Sequence, residues 1–216
     1  MNTLNQIALL LFWLSFLSHA YAQNPKGQVR EPIVVIDPGH GGKDAGAISI
    51  HGIKEKDIVM DIASKMVELN HKLYKKSLKV YLTRYTDTLI SLSDRIQLSK
   101  KLKADVFISL HCNQATNKSA VGTEVYVYPK NEVHDEASVY LGVVIQKGLT
   151  DLLKIKSRGA KYDNFQVLRD NNSNAAILLE LGFLSQTDEA ISLSQQYSQN
   201  AIALVILQSI IKFLGL

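Results

Sequence analysis

Cysteine is almost absent from this 216-residue chain. The single thiol, Cys112, excludes an intramolecular disulfide framework and any CxxC zinc module. No block of five like charges occurs, so no polybasic or polyacidic arm is available. Lys+Arg total 24 and Asp+Glu 20, a net charge of only +4 with a pI near 9.0. That balance suits a polyanionic cell wall or a nucleic acid without requiring either. No nucleic-acid motif accompanies it, so no nucleic-acid partner is expected. The apolar run at residues 7–17 has 11 residues, against about 20 for a membrane-spanning helix. A mean hydropathy of +0.01 excludes a polytopic membrane protein. No HExxH motif, internal repeat or low-complexity tract is present.

The composition is 46% hydrophobic and 20% charged, which places the chain among globular proteins and away from disordered ones. The run at 7–17 is followed by Ala20 and Ala22 in an A-x-A arrangement, the pattern of a secretory signal with its cleavage site. Residues 2–6 carry no Lys or Arg, so the α-amino group is the only positive charge there. Residues 1–22 are read as a signal peptide, residues 23–31 as a short polar leader and residues 32–216 as one catalytic-size domain. The product expected is exported, periplasmic or secreted, without a transmembrane anchor after processing, and monomeric.

Beyond the leader, apolar strands alternate with helical patterns. Ile33-Val34-Val35-Ile36 is a continuous β-branched run, the mark of a strand buried on both faces. Ile58, Ile62, Met66, Leu69 and Leu73 recur at spacings of three and four and predict a helix over 57–74. Further strands are predicted at 78–82, 106–110, 123–128, 165–168 and 176–179. Further helices are predicted at 92–102, 137–153 and 199–214. This alternation predicts an α/β single domain with a mixed, mostly parallel central sheet and helices on both faces.

Three of the apolar strands end on ionisable groups: the first on Asp37 and His40, the third on His111, the last on Glu180. Open α/β sheets bind ligands beyond the carboxyl ends of their strands, so these groups converge on one crevice. The loop at 41–54 contains four glycines and can wrap to bring Glu55 beside His40. Two imidazoles and a carboxylate form the ligand type of catalytic zinc hydrolases, with Glu180 left to move protons. By spacing alone that signal is weak, and the residues are also consistent with His40 and His111 as hydrogen-bonded core histidines and Glu180 as an ion-paired strand end.

At these residues the local sequence becomes specific. Asp37-Pro38-Gly39-His40-Gly41-Gly42, Gly52-Ile53-Lys54-Glu55-Lys56-Asp57, Ser109-Leu110-His111-Cys112-Asn113 and Leu179-Glu180-Leu181-Gly182-Phe183-Leu184-Ser185 occur in that order. Together they resemble the zinc-dependent N-acetylmuramoyl-L-alanine amidases of the amidase 3 family, over nearly all of the chain from Pro32 onward. Leu82-Thr83-Arg84, Asp87, Arg95 and Gly122-Thr123-Glu124-Val125 add to the likeness.

The resemblance implies Zn²⁺ held by His40, Glu55 and His111, with Glu180 as catalytic base and then acid. It implies peptidoglycan as substrate and the amide between N-acetylmuramic acid and L-alanine as the bond cut. Alternatives are an exported zinc exopeptidase or a non-catalytic wall-binding domain. Asp37 and Asn113 are candidates for orienting the histidines, or are turn formers near strand ends. Arg84 and Arg95 either hold substrate carboxylates or pair internally with Asp87 or Asp94. His51, His71 and His134 are given no role. Tyr126, Tyr128, Tyr162 and Phe165 either line a groove or pack at its rim.

Cys112 departs from the small residue usual at that place, and is read as an inert small hydrophobe rather than a competing ligand. Asn174-Ala175 and Ser99-Lys100 are further departures that affect loop shape. Some family members carry a long insertion that plugs the site. Only about ten residues, 129–138, follow the Gly-Thr-Glu strand here, so no plug is expected.

Overall fold

The continuous apolar runs become the central strands of a six-stranded sheet. In the computed structural model, which describes residues 30–74 and 78–216, β1 (Ile33–Pro38) directs Val34 and Ile36 to one core and Val35 to another. The predicted signal peptide, and the leader apart from Arg30 and Glu31, lie outside the described residues. The other strands are β2 (Lys79–Leu82), β3 (Val106–Asn113), β4 (Thr123–Val127), β5 (Ser157–Tyr162) and β6 (Ala175–Phe183). Their order across the sheet is β2-β1-β3-β6-β4-β5. All neighbouring pairs are parallel except β4 on β6, so the sheet is mixed and mostly parallel.

Helices cover both faces. On one side α1 (Glu55–Leu73), α3 (Glu132–Leu153) and α6 (Gln196–Leu214) enclose the larger core. Here α1 buries Ile58, Ile62 and Met66 along the stripe that their spacing prescribes. By length and composition α6 could cross a membrane, but Ile202, Ala203, Ile206 and Ile210 are buried where it packs on α1 and α3. On the other side α2 (Leu92–Leu102) and the single turn α4 (Gln166–Arg169) cover a smaller core around Val35, Phe107 and Leu178. A short α5 (Thr187–Ser194) precedes α6.

Two departures from the sequence reading have physical causes. Residues 165–168 form a helical turn, not a strand, with Val167 and Leu168 buried against the smaller core. A run that short satisfies either geometry. β5 escapes periodicity because all six of its residues are exposed. It is an edge strand held by its ladder to β4 and by Gln146, whose Nε2 donates to the Gly159 carbonyl at 3.2 Å. The link from β4 to α3 is shorter than expected, since Asn131 caps α3 by accepting from the His134 amide at 3.0 Å.

Candidate metal centre and proton-transfer site

The smaller core leaves the carboxyl ends of β1, β3 and β6 uncovered, and the ionisable strand ends meet there. Residues of one strand that share a face are two apart. Phe107 in the smaller core therefore places Ser109 and His111 on its face, and Leu178 does the same for Glu180. His111 and Glu180 are direct register partners, and a bulge follows His111 in the ladder. Bulges at strand ends re-aim side chains beside sites.

His40 follows β1 in a left-handed conformation, φ 59°, which costs a non-glycine residue about 1–2 kcal/mol. Hydrogen bonds hold it there. Arg95 Nη2 donates to the His40 carbonyl at 2.7 Å, and Arg84 Nη2 donates to the Gly39 carbonyl at 3.0 Å.

Glu55 opens α1 and turns its side chain back over the glycine-rich loop. Its Oε2 accepts from the Ala47 amide at 2.7 Å and its Oε1 from the Cys112 amide at 2.9 Å. That same Oε1 lies 3.0 Å from His40 Nε2 and 2.9 Å from His111 Nδ1. The two rings stand edge to face with centroids 4.9 Å apart. One donor atom from each of the three residues lies within 4.8 Å of the others, the only such His/Cys/Asp/Glu group of three or more found among the described residues.

Asp44 completes the set: its Oδ2 lies 2.9 Å from His40 Nδ1, leaving Nε2 directed at the centre. The sequence reading missed Asp44, and its only signal was a carboxylate four residues after His40 in the same loop. Burial opposes charging His40, but hydrogen bonds and charge from Glu55 and Asp44 raise its pKa to about 9. Burial also opposes ionising Glu55, yet His111 and His40 pull its pKa down to about 2. The negative field that draws a proton onto His40 is one that favours a cation in its place.

Close backbone approach makes two glycines obligatory. A Cβ on Gly39 would stand 2.3 Å from His111 Cε1. A Cβ on Gly46, at φ +66°, would stand 2.4 Å from Glu55 Oε2. Gly39→Ala is expected to displace the His111 ring and lower divalent-metal affinity by at least about tenfold. Calorimetric titration of the metal-free protein checks it, and an unchanged affinity would contradict this packing.

Glu180 is different in kind. Its Oε2 is buried and accepts no hydrogen bond from protein. Burial first, then the charges of Glu55 and Glu124 against those of His111 and His40, raise its pKa to about 7. Raised above the ordinary carboxyl value of 4.5, the group stabilises the fold below that value, and the contribution is lost as pH rises through about 7. In chelated protein, Glu180→Gln is therefore expected to melt higher than wild type at pH 8 and equally at pH 4. Melting curves at the two pH values measure it, and a difference independent of pH would contradict the assignment.

The remaining candidates fall into supporting positions. Asp37 touches neither histidine. It accepts from Thr83 Oγ1 at 2.6 Å, Arg95 Nη1 at 2.6 Å and Ser109 Oγ at 2.7 Å. Asn113 donates to Glu124 at 3.1 Å rather than orienting His111. Arg84 and Arg95 are internal, but their partners are Asp37 and backbone carbonyls, not Asp87 or Asp94. Lys56 pairs with Asp87 instead, at 2.6 Å. The Cys112 thiol lies in the larger core, where burial pushes its pKa well up, so it remains a thiol there. His51 and His71 are exposed, and His134 sits at the start of α3 beside Asp135.

A cleft of about 760 Å³ opens on the centre, lined by His40, Asp44, His111 and Glu180, with Leu89 and Ile90 from the β2–α2 loop, Leu92 at the start of α2 and Phe165 from before α4. Phe165 packs edge to face on Tyr126 at 5.2 Å. These features define a layered α/β protein with a His-Glu-His metal-competent cleft at the carboxyl edge of its sheet.

Comparison with known proteins gives the family. The profile described as N-acetylmuramoyl-L-alanine amidase, amidase 3, matches residues 34–212. The chain belongs to this family. It is 34% identical over 179 residues to a probable cell wall amidase LytH of Staphylococcus saprophyticus, covering 82% of this chain and 57% of that one. It is 36% identical over 173 residues to the endolysin of Bacillus phage SPP1, covering 79% of this chain and 62% of that one. The chain thus spans less than two thirds of the length of these two relatives. The crystal structure of N-acetylmuramoyl-L-alanine amidase from Clostridium difficile 630 superposes with a TM-score of 0.79 at 35% identity, over 85% of this chain and 97% of that one.

Proposed function

We propose that this protein is a peptidoglycan hydrolase that cuts the amide between the lactyl group of N-acetylmuramic acid and L-alanine of the stem peptide. The observation that carries the reading is the meeting of His40, Glu55 and His111 on one point beside a buried carboxylate, Glu180, that lacks a protein partner. Family membership supplies the bond and the substrate class.

The donor set fits a zinc ion: two imidazole nitrogens and a carboxylate oxygen, with Asp44 fixing the His40 ring through its other nitrogen. When bound, Zn²⁺ supplies a Lewis acid that polarises the amide carbonyl and acidifies water. The chain's own residues do the rest. Ionised Glu180 accepts a proton from the attacking water as the new C–O bond forms. It then hands that proton to the alanine nitrogen as the C–N bond breaks, freeing a carboxylic acid and an amine. Burial disfavours a lasting charge on Glu180, so the proton it takes can be passed on. Leu89, Ile90, Leu92 and Phe165 flank the cleft with apolar surface that seats the substrate beside the ionisable floor.

In this reading residues 1–22 direct export, residues 32–216 are the catalytic domain, and the enzyme works as a monomer on the wall. Incubation with purified sacculi tests it. The expected products are intact stem peptides bearing free L-alanine amino groups and uncut glycan strands. Release of free amino acids would instead identify an exopeptidase.

A further inference from the structure

The row of polar side chains at the site does not stop at Glu180. Its register partner on the far side is Glu124 of β4, and β5 lies beyond. Glu124 is 3% exposed and takes two cations on one oxygen: Arg158 Nε at 2.6 Å and Lys161 Nζ at 2.7 Å. Its other oxygen accepts from Tyr126 Oη at 2.8 Å and Asn113 Nδ2 at 3.1 Å. Glu189 also acts on Arg158 through charge, so the two cations are balanced by nearby carboxylates. The cations are also the accessible members of the cluster, Arg158 at 32% and Lys161 at 41%. Both are held in place: Arg158 lies over the Phe183 ring at 5.0 Å and Lys161 over Tyr126 at 5.7 Å. Arg158 Nη1 reaches only the Val121 carbonyl at 3.5 Å, so the outer side of the guanidinium keeps donors for a ligand.

The cleft lining itself offers an anion little. Asp44 and Asp94 line the cleft together with Leu89, Ile90 and Leu92. Its one lining cation, Arg95, is already engaged by Asp37 and the carbonyls of Pro38, His40 and Ile90. An anionic substrate group is disfavoured beside those carboxylates, whereas Arg158 and Lys161 offer it accessible donors on the strand beyond Glu124.

We propose that Arg158 and Lys161 form a carboxylate subsite that receives the acidic residue following alanine in the stem peptide, and so set the direction in which substrate lies across the cleft. The proposal rests on the amidase reading above. In a stem peptide the γ-linked residue after L-alanine presents either a free α-carboxylate or its amide. A subsite of this kind discriminates between them, because a charge-assisted contact is made to one and not to the other.

The test compares two soluble muramoyl peptides that differ only at that group, one carrying D-isoglutamate and the other D-isoglutamine. Wild type is expected to favour the acid in kcat/KM by at least about tenfold. Arg158→Gln is expected to bring that ratio close to one, and Lys161→Gln to lower it several-fold. Arg158→Lys keeps Glu124 paired and serves where Arg158→Gln does not fold. It too narrows the ratio, since lysine lacks the planar fork. Equal use of the two peptides by wild type, or a ratio unchanged in the folded variants, would overturn the subsite while leaving the amidase reading intact. Failure of wild type to cut either peptide or sacculi would remove the amidase reading and this subsite with it.

Discussion

Glu180→Gln is expected to lower the rate of stem-peptide release from sacculi by at least about a hundredfold. Glutamine matches the shape and keeps the buried position, but it cannot take a proton from water or return one to a leaving amine. Because Glu180 lies outside the three-residue donor group, bound metal is expected to stay at the wild-type level. The separation of the two effects is the useful part. A residue acting only through the fold would reduce activity and metal content together. Sacculus clearance by Glu180→Gln at the wild-type rate would rule out the proton shuttle.

Arg95→Leu is expected to produce the largest loss of stability of any single change near the site. Arg95 is 3% exposed and Asp37 1%, and removing one partner of such a pair costs about 3–5 kcal/mol. In a domain of this size that corresponds to a fall in melting temperature of about 10 °C. The change also frees the carbonyls of Pro38 and His40, which Arg95 Nη1 and Nη2 hold at 2.7 Å each. His40 would then lose a bond that keeps it in the left-handed conformation, so metal affinity should drop with stability. The exposed pair Lys72–Glu68 supplies the contrast: Lys72→Ala should leave the melting temperature essentially unchanged. Thermal melts of the two variants, side by side, distinguish a clamp at depth from an ordinary surface pair.

The parts of the molecule that were legible in the sequence are those where burial imposes a period or a run. β1, β3 and β6 are buried on both faces and read as unbroken apolar segments. α2 begins where Ser91 accepts from the Asp94 amide and ends at a left-handed Lys103, so its bounds coincide with the prediction. The strand ends pointed to one crevice because side chains such as His111 and Glu180 are expensive at the mouth of a buried sheet unless they have work there. By contrast β5 carries no apolar alternation, since backbone pairing and the Glu124 carboxylate hold it in place of a core. α4 and α5 are too short to establish a helical period, and α3 starts earlier than expected because its first turn is polar.

The finer chemistry was less accessible. The sequence leaves Asp37 open between orienting a histidine and forming a turn, whereas its partner Arg95 lies 58 residues away on α2. Asn113 likewise turned out to serve Glu124 on the neighbouring strand. Asp44 escaped notice because nothing in a glycine-rich loop indicates which carboxylate faces the imidazole. Contacts of this kind depend on how the loops at 41–54 and 83–91 pack against one another, and no local pattern encodes that.

The most direct measurement is a titration of chelated protein with Zn²⁺ by calorimetry, alongside His111→Ala. Wild type is expected to bind one ion per chain, and the variant to lose that binding. Full-strength binding by His111→Ala, or no binding by wild type, would contradict the placing of the metal on His40, Glu55 and His111.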